Sequence, residues 1–226
     1  MKYENIKEAV FLNRPNRFTA LCLVDGKEEV CHVKNTGRCR ELLTDRAICY
    51  LEESKNPDRK TKYDLVAVIK NGEIFNIDSQ APNKVVGEWL TNGGLFCDVK
   101  VVKPECRYKN SRFDFYVEYG DRKTFIEVKG VTLEEDGVLL FPDAPTERGV
   151  KHINELISAI SDGFDAYIIF VVQTEKARYF TPNKKTHIEF ANALQKAEKH
   201  GVKILCYTCK TAPDFLEIKD RVEVVL

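Results

Sequence analysis

A strand that carries an acid two positions before a base, lying beside a second strand with an acid of its own, can assemble the groups that phosphodiester chemistry needs. Asp114 and the string Glu127-Val128-Lys129 have these types. In Arg112-Phe113-Asp114-Phe115-Tyr116-Val117-Glu118-Tyr119 the odd positions are apolar or aromatic, so Arg112, Asp114 and Glu118 share the other face of a strand. In the next segment Ile126 and Val128 point to the core, while Lys123, Phe125, Glu127 and Lys129 point away. Gly120-Asp121 suits a two-residue type II′ turn, with glycine where φ must be positive. That turn sets Asp114 opposite Glu127 and Arg112 opposite Lys129, whereas an odd-length turn would mate a polar face with an apolar one.

Two carboxylates facing each other across a ladder repel. A divalent cation, Mg²⁺ or Mn²⁺, relieves the repulsion, because such an ion takes one or two carboxylates, keeps several waters and completes its shell with substrate phosphate. Water bound to it loses a proton more readily, and charge on the phosphoryl oxygens is neutralised. Lys129 is placed to orient that water, or to take its proton if burial and a neighbouring cation lower the lysine's own affinity for one. The expected reaction is metal-dependent hydrolysis of a phosphodiester. Composition alone supplies about five acid-x-base matches in such a chain, so the strand register carries the argument rather than the tripeptide.

Around this pair other residues fall into supporting positions. Arg148, His152 and Glu155 recur at i, i+4 and i+7 on one face of a helix expected over 147–162, with Ile153, Leu156, Ile157 and Ile160 on the other. Arg148 is a candidate to hold a phosphate, Glu155 to support or join the metal ligands, and His152 and Arg112 to support them. Asp143, just ahead of the helix, is expected either as its N-cap or as a further supporting carboxylate. Nearer the N-terminus, Arg14, Asn16, Arg17, His32, Lys34, Asn35 and Arg38 form a group able to contact phosphates, and Phe18 is placed to stack on a base.

The elements that must position these groups divide at Ala81-Pro82-Asn83. Residues 1–83 read as five strands, at 18–24, 29–33, 47–52, 64–70 and 73–78, with a short helical piece at 40–43. Turns at Asp25-Gly26 and Asn71-Gly72 make two hairpins of them, and the set fits a small barrel of the oligonucleotide-binding kind. Residues 84–226 begin with a helix to about 92, continue with strands at 99–103, 111–119, 122–129 and 138–141, and then alternate helix and strand. The apolar run Ala166–Val172 and the segment 202–207 read as strands covered on both faces. The expected class is α+β or α/β: a five-stranded barrel, then a mixed sheet flanked by helices.

Composition bounds the function. With 226 residues, 43% of them hydrophobic, the chain needs no cross-links to build a core. No apolar run approaches the roughly 20 residues of a membrane span. The N-terminus carries acids at positions 4 and 8 and does not read as a signal peptide, so a cytoplasmic address is expected. Eight scattered cysteines would stay reduced there, and Cys206-Tyr207-Thr208-Cys209 has no second pair to complete a zinc site. Lys plus Arg equals Asp plus Glu at 35 each, so any grip on a nucleic acid must come from local patches. No oligomeric state follows from these features.

The order of elements, with Asp114 followed by Glu127-Val128-Lys129, resembles the PD-(D/E)XK nuclease superfamily, with Phe113 standing where the family name has proline. A fuller resemblance rests on five strings: Asn13 to Phe18, Cys31 to Arg38, Ser111 to Phe115, Glu127 to Lys129, and Phe141 to His152. In this order they resemble the sugar fermentation stimulation protein A family. The resemblance implies a prokaryotic cytoplasmic protein, an oligonucleotide-binding barrel joined to a restriction-endonuclease-like domain, DNA binding with little sequence preference, and a link to sugar, notably maltose, metabolism. Asn13, Lys34 and Cys39 depart from the Arg, Pro and Met expected there, and leave the Asp-Glu-Lys set untouched. The alternative to a nuclease is a non-catalytic DNA-binding regulator that retains a vestigial pocket.

Overall fold

The structure, a computed structural model, describes residues 1–226. Five strands close the N-terminal barrel: β1 (Ile6–Asn13), β2 (Thr19–Val24), β3 (Lys27–Val33), β4 (Ile48–Glu53) and β5 (Tyr63–Lys70). They run in the order β3-β2-β1-β4-β5, and a parallel pairing of β3 with β5 completes the ring. The strand β6 (Glu73–Asn76) extends the β5 hairpin outside the ring.

The membership differs from expectation. Ile6–Asn13 belongs to the ring and was not among the expected strands. It escapes a period-two reading because Ile6, Val10 and Leu12 are half-buried on the outer face while Ala9 and Phe11 fill the interior. The 40–43 segment is a hydrogen-bonded turn on the Cys39 carbonyl rather than a helix, and it buries Leu42 and Leu43. Both hairpin turns have the left-handed pair that Asp-Gly and Asn-Gly allow, with φ of 50° and 79° at Asp25-Gly26 and 53° and 78° at Asn71-Gly72. Cys22, Cys31, Cys49, Leu51 and Leu65 are fully buried inside the barrel, where small thiols behave as hydrophobes; all eight cysteines are free.

The second part is built on a nine-stranded mixed sheet. In chain order come α1 (Ala81–Thr91), β7 (Val99–Tyr108), β8 (Ser111–Tyr119), β9 (Arg122–Val131), β10 (Glu134–Glu135), β11 (Val138–Phe141), α2 (Glu147–Ser161), β12 (Asp165–Val172), β13 (Tyr179–Pro182), α3 (Ile188–Lys199), β14 (Lys203–Ala212) and β15 (Phe215–Val224). The strand order is β10-β11-β13-β15-β14-β12-β9-β8-β7, with β12 parallel to both β9 and β14. Strands β13 and β15 were not anticipated. Helices α2 and α3, the latter through Phe190, cover one face over Phe113, Phe125 and Phe170; α1 covers the other over Phe115, Ile126, Val128 and Ile169. Burying each such side chain contributes about 1.5–3 kcal/mol.

Two local devices bring the helices onto the site. Gly130 follows Lys129 on β9 where a Cβ would lie 2.6 Å from Gln173 Oε1 and 2.8 Å from Pro82, so its small size lets the first turn of α1 approach. Helix α2 is capped by Thr146, whose Oγ1 accepts the Gly149 N–H at 3.1 Å. The expectation that Asp143 caps it is therefore corrected: Asp143 lies three residues before the capping position, with a carboxylate oxygen 2.8 Å from where a Cβ on Gly37 of the barrel would stand.

Candidate nucleic-acid and metal site

Strands β8 and β9 pair from Tyr119–Arg122 to Phe115–Ile126, the register that puts Asp114 level with Glu127. In the turn only Gly120 is left-handed, at φ 51°. The backbone ladder ends at Phe115–Ile126, and the Asp114 side chain takes over: its Oδ2 accepts the Val128 N–H at 2.7 Å and its Oδ1 accepts from Asn83 Nδ2 at 2.7 Å. On its other edge β8 pairs with β7 on both sides of Asp114 but not at it, and the facing Glu105 has φ 54°. The ladder to β9 thus ends, and the ladder to β7 skips a pair, at Asp114, and its neighbours pack on opposite faces, Phe113 against Phe125 and His152, Phe115 against Gly87.

Two expectations are overturned. Arg112 is not across from Lys129; it pairs with Arg107 on β7 and forms an exposed salt bridge with Glu105 at 3.0 Å. The face carrying Phe125 and Glu127 is not open to water either, because α2 lies on it and leaves Glu127 2% exposed.

Glu127 is held on one oxygen. Its Oε1 lies 2.5 Å from Lys129 Nζ and 2.6 Å from His152 Nδ1, while Oε2 is buried with no partner. Burial alone would raise its carboxyl, but the His152 hydrogen bond and the Lys129 charge outweigh that and hold it below the ordinary glutamate range. Asp114 moves the other way. Burial and then the Glu127 charge raise it, against the pull of the Val128 N–H and Lys129. The two acids and the amine therefore sense one another, with the acids displaced in opposite directions. Behind them Arg148 Nε lies 3.4 Å from His152 Nε2, and Glu155, near Lys151 at 3.9 Å, has a second buried carboxylate oxygen without a partner.

The donor set fits a hard divalent cation. Glu127 Oε2 is a buried oxygen with unused lone pairs, and Asp114, level with Glu127 on the adjacent strand, feels its charge. No group of three or more His, Cys, Asp or Glu side chains forms a cage, and Mg²⁺ needs none because it keeps water in most of its shell.

In the barrel the candidates separate into builders and free groups. Arg14 spends its guanidinium on four carbonyls, those of Gly37, Arg38, Arg17 and Asn35, at 2.6–2.8 Å. Asn16 Oδ1 accepts the N–H groups of Phe18 and Thr19, and Asn35 binds Gly37 N and Ile77 O. Lys34 and His32 converge at 3.0 Å on Asp64, which is 3% exposed and also chelated by Arg59. Exposed Arg17, Arg38 and Arg40 remain free to meet a ligand. They line a cleft of about 1120 Å³ between the barrel and the Asp143–Pro145 segment. Phe18, 56% exposed, follows Arg17.

Three contributors were missed in the sequence. Asn83 had a faint signal as a polar residue in the first turn of α1. Asp64 had a clearer one, a single charge inside the apolar string Tyr63–Ile69. Arg59 had none, since it reaches Asp64 from a loop.

No helix is long and apolar enough to cross a membrane. A family model described as the SfsA N-terminal OB domain matches residues 12–77, and one described as the Sugar fermentation stimulation protein RE domain matches residues 80–215. Sugar fermentation stimulation protein homologs from Ruminiclostridium cellulolyticum and Clostridium beijerinckii are 56% and 54% identical over 226 residues, covering all of both chains. The structure of Pyrococcus furiosus SfsA in complex with Ca²⁺ superposes with a TM-score of 0.90 at 28% identity, covering 100% of this chain and 98% of that one. The barrel, the mixed sheet and these full-length matches place the chain in the sugar fermentation stimulation protein (SfsA) family.

Proposed function

We propose that the protein binds DNA with little sequence preference and hydrolyses phosphodiesters with Mg²⁺ or Mn²⁺ held by Asp114 and Glu127. The observation that carries this reading is the junction of two carboxylates and one amine where the β8 ladders interrupt, with an unpartnered carboxylate oxygen among them. A bound cation would supply Lewis acidity toward the phosphate and a more acidic water. The chain's own residues do the rest. Asn83 and the Val128 N–H hold Asp114, His152 and Lys129 hold Glu127, and Lys129 donates hydrogen bonds that orient water or a phosphoryl oxygen. Arg17, Arg38 and Arg40 would meet backbone phosphates, which fix a strand's position without reading its sequence. The Ca²⁺ complex of the Pyrococcus furiosus relative supports a hard-cation site in this family.

One observation favours a binding-only alternative, in which the protein acts as a regulator connected with sugar metabolism: Lys129 is already paired to Glu127 at 2.5 Å, so its amine is engaged. Incubating the Mn²⁺-loaded protein with end-labelled single- and double-stranded DNA decides between the readings. Cleavage lost in Lys129→Ala supports the nuclease. Uncut DNA that is nevertheless retained in a gel supports the binding-only protein.

A further inference from the structure

We infer that His152 is a positioning residue: it determines which oxygen of Glu127 meets the cation, and so sets the metal affinity of the site. The inference rests on the metal-site reading above and deepens it. His152 is 5% exposed on the face of α2 that packs on the sheet, among positions otherwise filled by Ile153, Leu156 and Ala159. An apolar side chain would pack against Phe113 there without desolvating a polar ring, so the imidazole has work beyond filling space.

Its hydrogen bonds state that work. Arg148 Nε–H approaches His152 Nε2 at 3.4 Å, and since arginine only donates, the ring nitrogen there accepts. The proton then sits on Nδ1 and is donated to Glu127 Oε1 at 2.6 Å. Lys129 Nζ uses the same oxygen at 2.5 Å. Two donors occupy Oε1, and Oε2 alone keeps its lone pairs free. A carboxylate pinned in this way offers a cation one oxygen in one direction, which is how supporting hydrogen bonds orient a metal ligand.

The same ring ties the two halves of the site together. Phe113 meets His152 edge-on, with centroids 6.0 Å apart, and Phe113 is the residue before Asp114. The orientation of Glu127 and the path of the strand carrying Asp114 are therefore set against one side chain of α2. Arg148 acts one step further out, by holding the tautomer.

The test is Mn²⁺ affinity of the full-length protein, measured by calorimetry and by electron paramagnetic resonance of free Mn²⁺. His152→Leu keeps the packing and removes the donor. His152→Asn places an amide N–H near the Nδ1 position. Arg148→Met removes the outer partner from an exposed site and reports even if the leucine variant fails to fold. The expected result is Mn²⁺ binding weakened about tenfold or more in His152→Leu, recovery to within about threefold in His152→Asn, and a smaller loss in Arg148→Met. A folded His152→Leu protein that binds Mn²⁺ as the wild type does, or, should it not fold, an Arg148→Met protein of undiminished affinity, overturns the inference alone. A wild-type protein that takes up no Mn²⁺ overturns the metal-site reading itself.

Discussion

Asp114→Asn should make the protein more stable without metal and less stable with it. Asp114 stands level with the charged Glu127, and burial together with that charge raises its carboxyl above the ordinary aspartate range. A carboxyl raised by folding is penalised once ionised: the penalty grows as pH rises from the unfolded value through the folded one, and is fully present at neutral pH. Asparagine removes the charge and keeps both contacts, because its oxygen still accepts the Val128 N–H and its amide can donate to Asn83 once that amide turns over. Removing like charge across a ladder contributes up to about 1 kcal/mol, which for a chain of this size raises Tm by about 2–4 °C. With Mn²⁺ at a hundredfold excess over Kd, the wild type gains about 2.7 kcal/mol, or roughly 5–11 °C, and the variant gains little. Thermal unfolding followed by circular dichroism in EDTA and in Mn²⁺ should therefore show the two proteins exchanging order. A variant that unfolds several degrees below the wild type in EDTA would show that the carboxylate charge is structural, and the reasoning fails.

Other consequences follow from named contacts. If the nuclease reading holds, Lys129→Ala lowers the cleavage rate of a labelled strand by about 10²–10⁴-fold, with DNA retention in a gel unchanged. Asp64→Ala removes the buried carboxylate on which the partly exposed Lys34 and Arg59 converge and costs about 1.5–3 kcal/mol, read as a lower urea midpoint at constant slope. Burial opposes ionisation of Asp64, but Arg59, Lys34 and His32 win and hold its carboxyl far below the usual range. The stability it contributes is thus present above the unfolded aspartate value and is lost as pH falls toward the folded one; urea midpoints measured between pH 6 and 3 should fall less steeply in Asp64→Ala. The double substitution Arg17→Ala, Arg38→Ala reduces the salt dependence of DNA affinity by about two phosphate contacts, measured by fluorescence anisotropy across salt concentrations. Arg14→Ala instead lowers Tm, because its guanidinium ties four loop carbonyls together.

Much of the fold is written in short-range chemistry. The Asp25-Gly26, Asn71-Gly72 and Gly120-Asp121 turns are legible because tolerance of positive φ belongs to the residue itself. The β8–β9 register follows from one such turn plus alternation. Strand β1 was hidden because both of its faces carry apolar residues, and β13 because four residues hold too little pattern.

Around the site the division falls differently. Residue types and a turn suffice to bring Asp114, Glu127 and Lys129 onto adjacent strands, since side-chain period and register are local properties. What surrounds them is not local. Alternation names a polar face of β9 and cannot say that α2 will cover it, so the burial of Glu127, its bond to His152 and its bare oxygen emerge only when distant segments pack. The same holds for Arg14, Lys34 and Asn35, whose donors look available along the chain and are consumed by carbonyls and a buried aspartate brought near by barrel closure. Hydrogen-bonding capacity is a property of a residue; whether folding leaves any of it unspent depends on which partners the tertiary structure delivers.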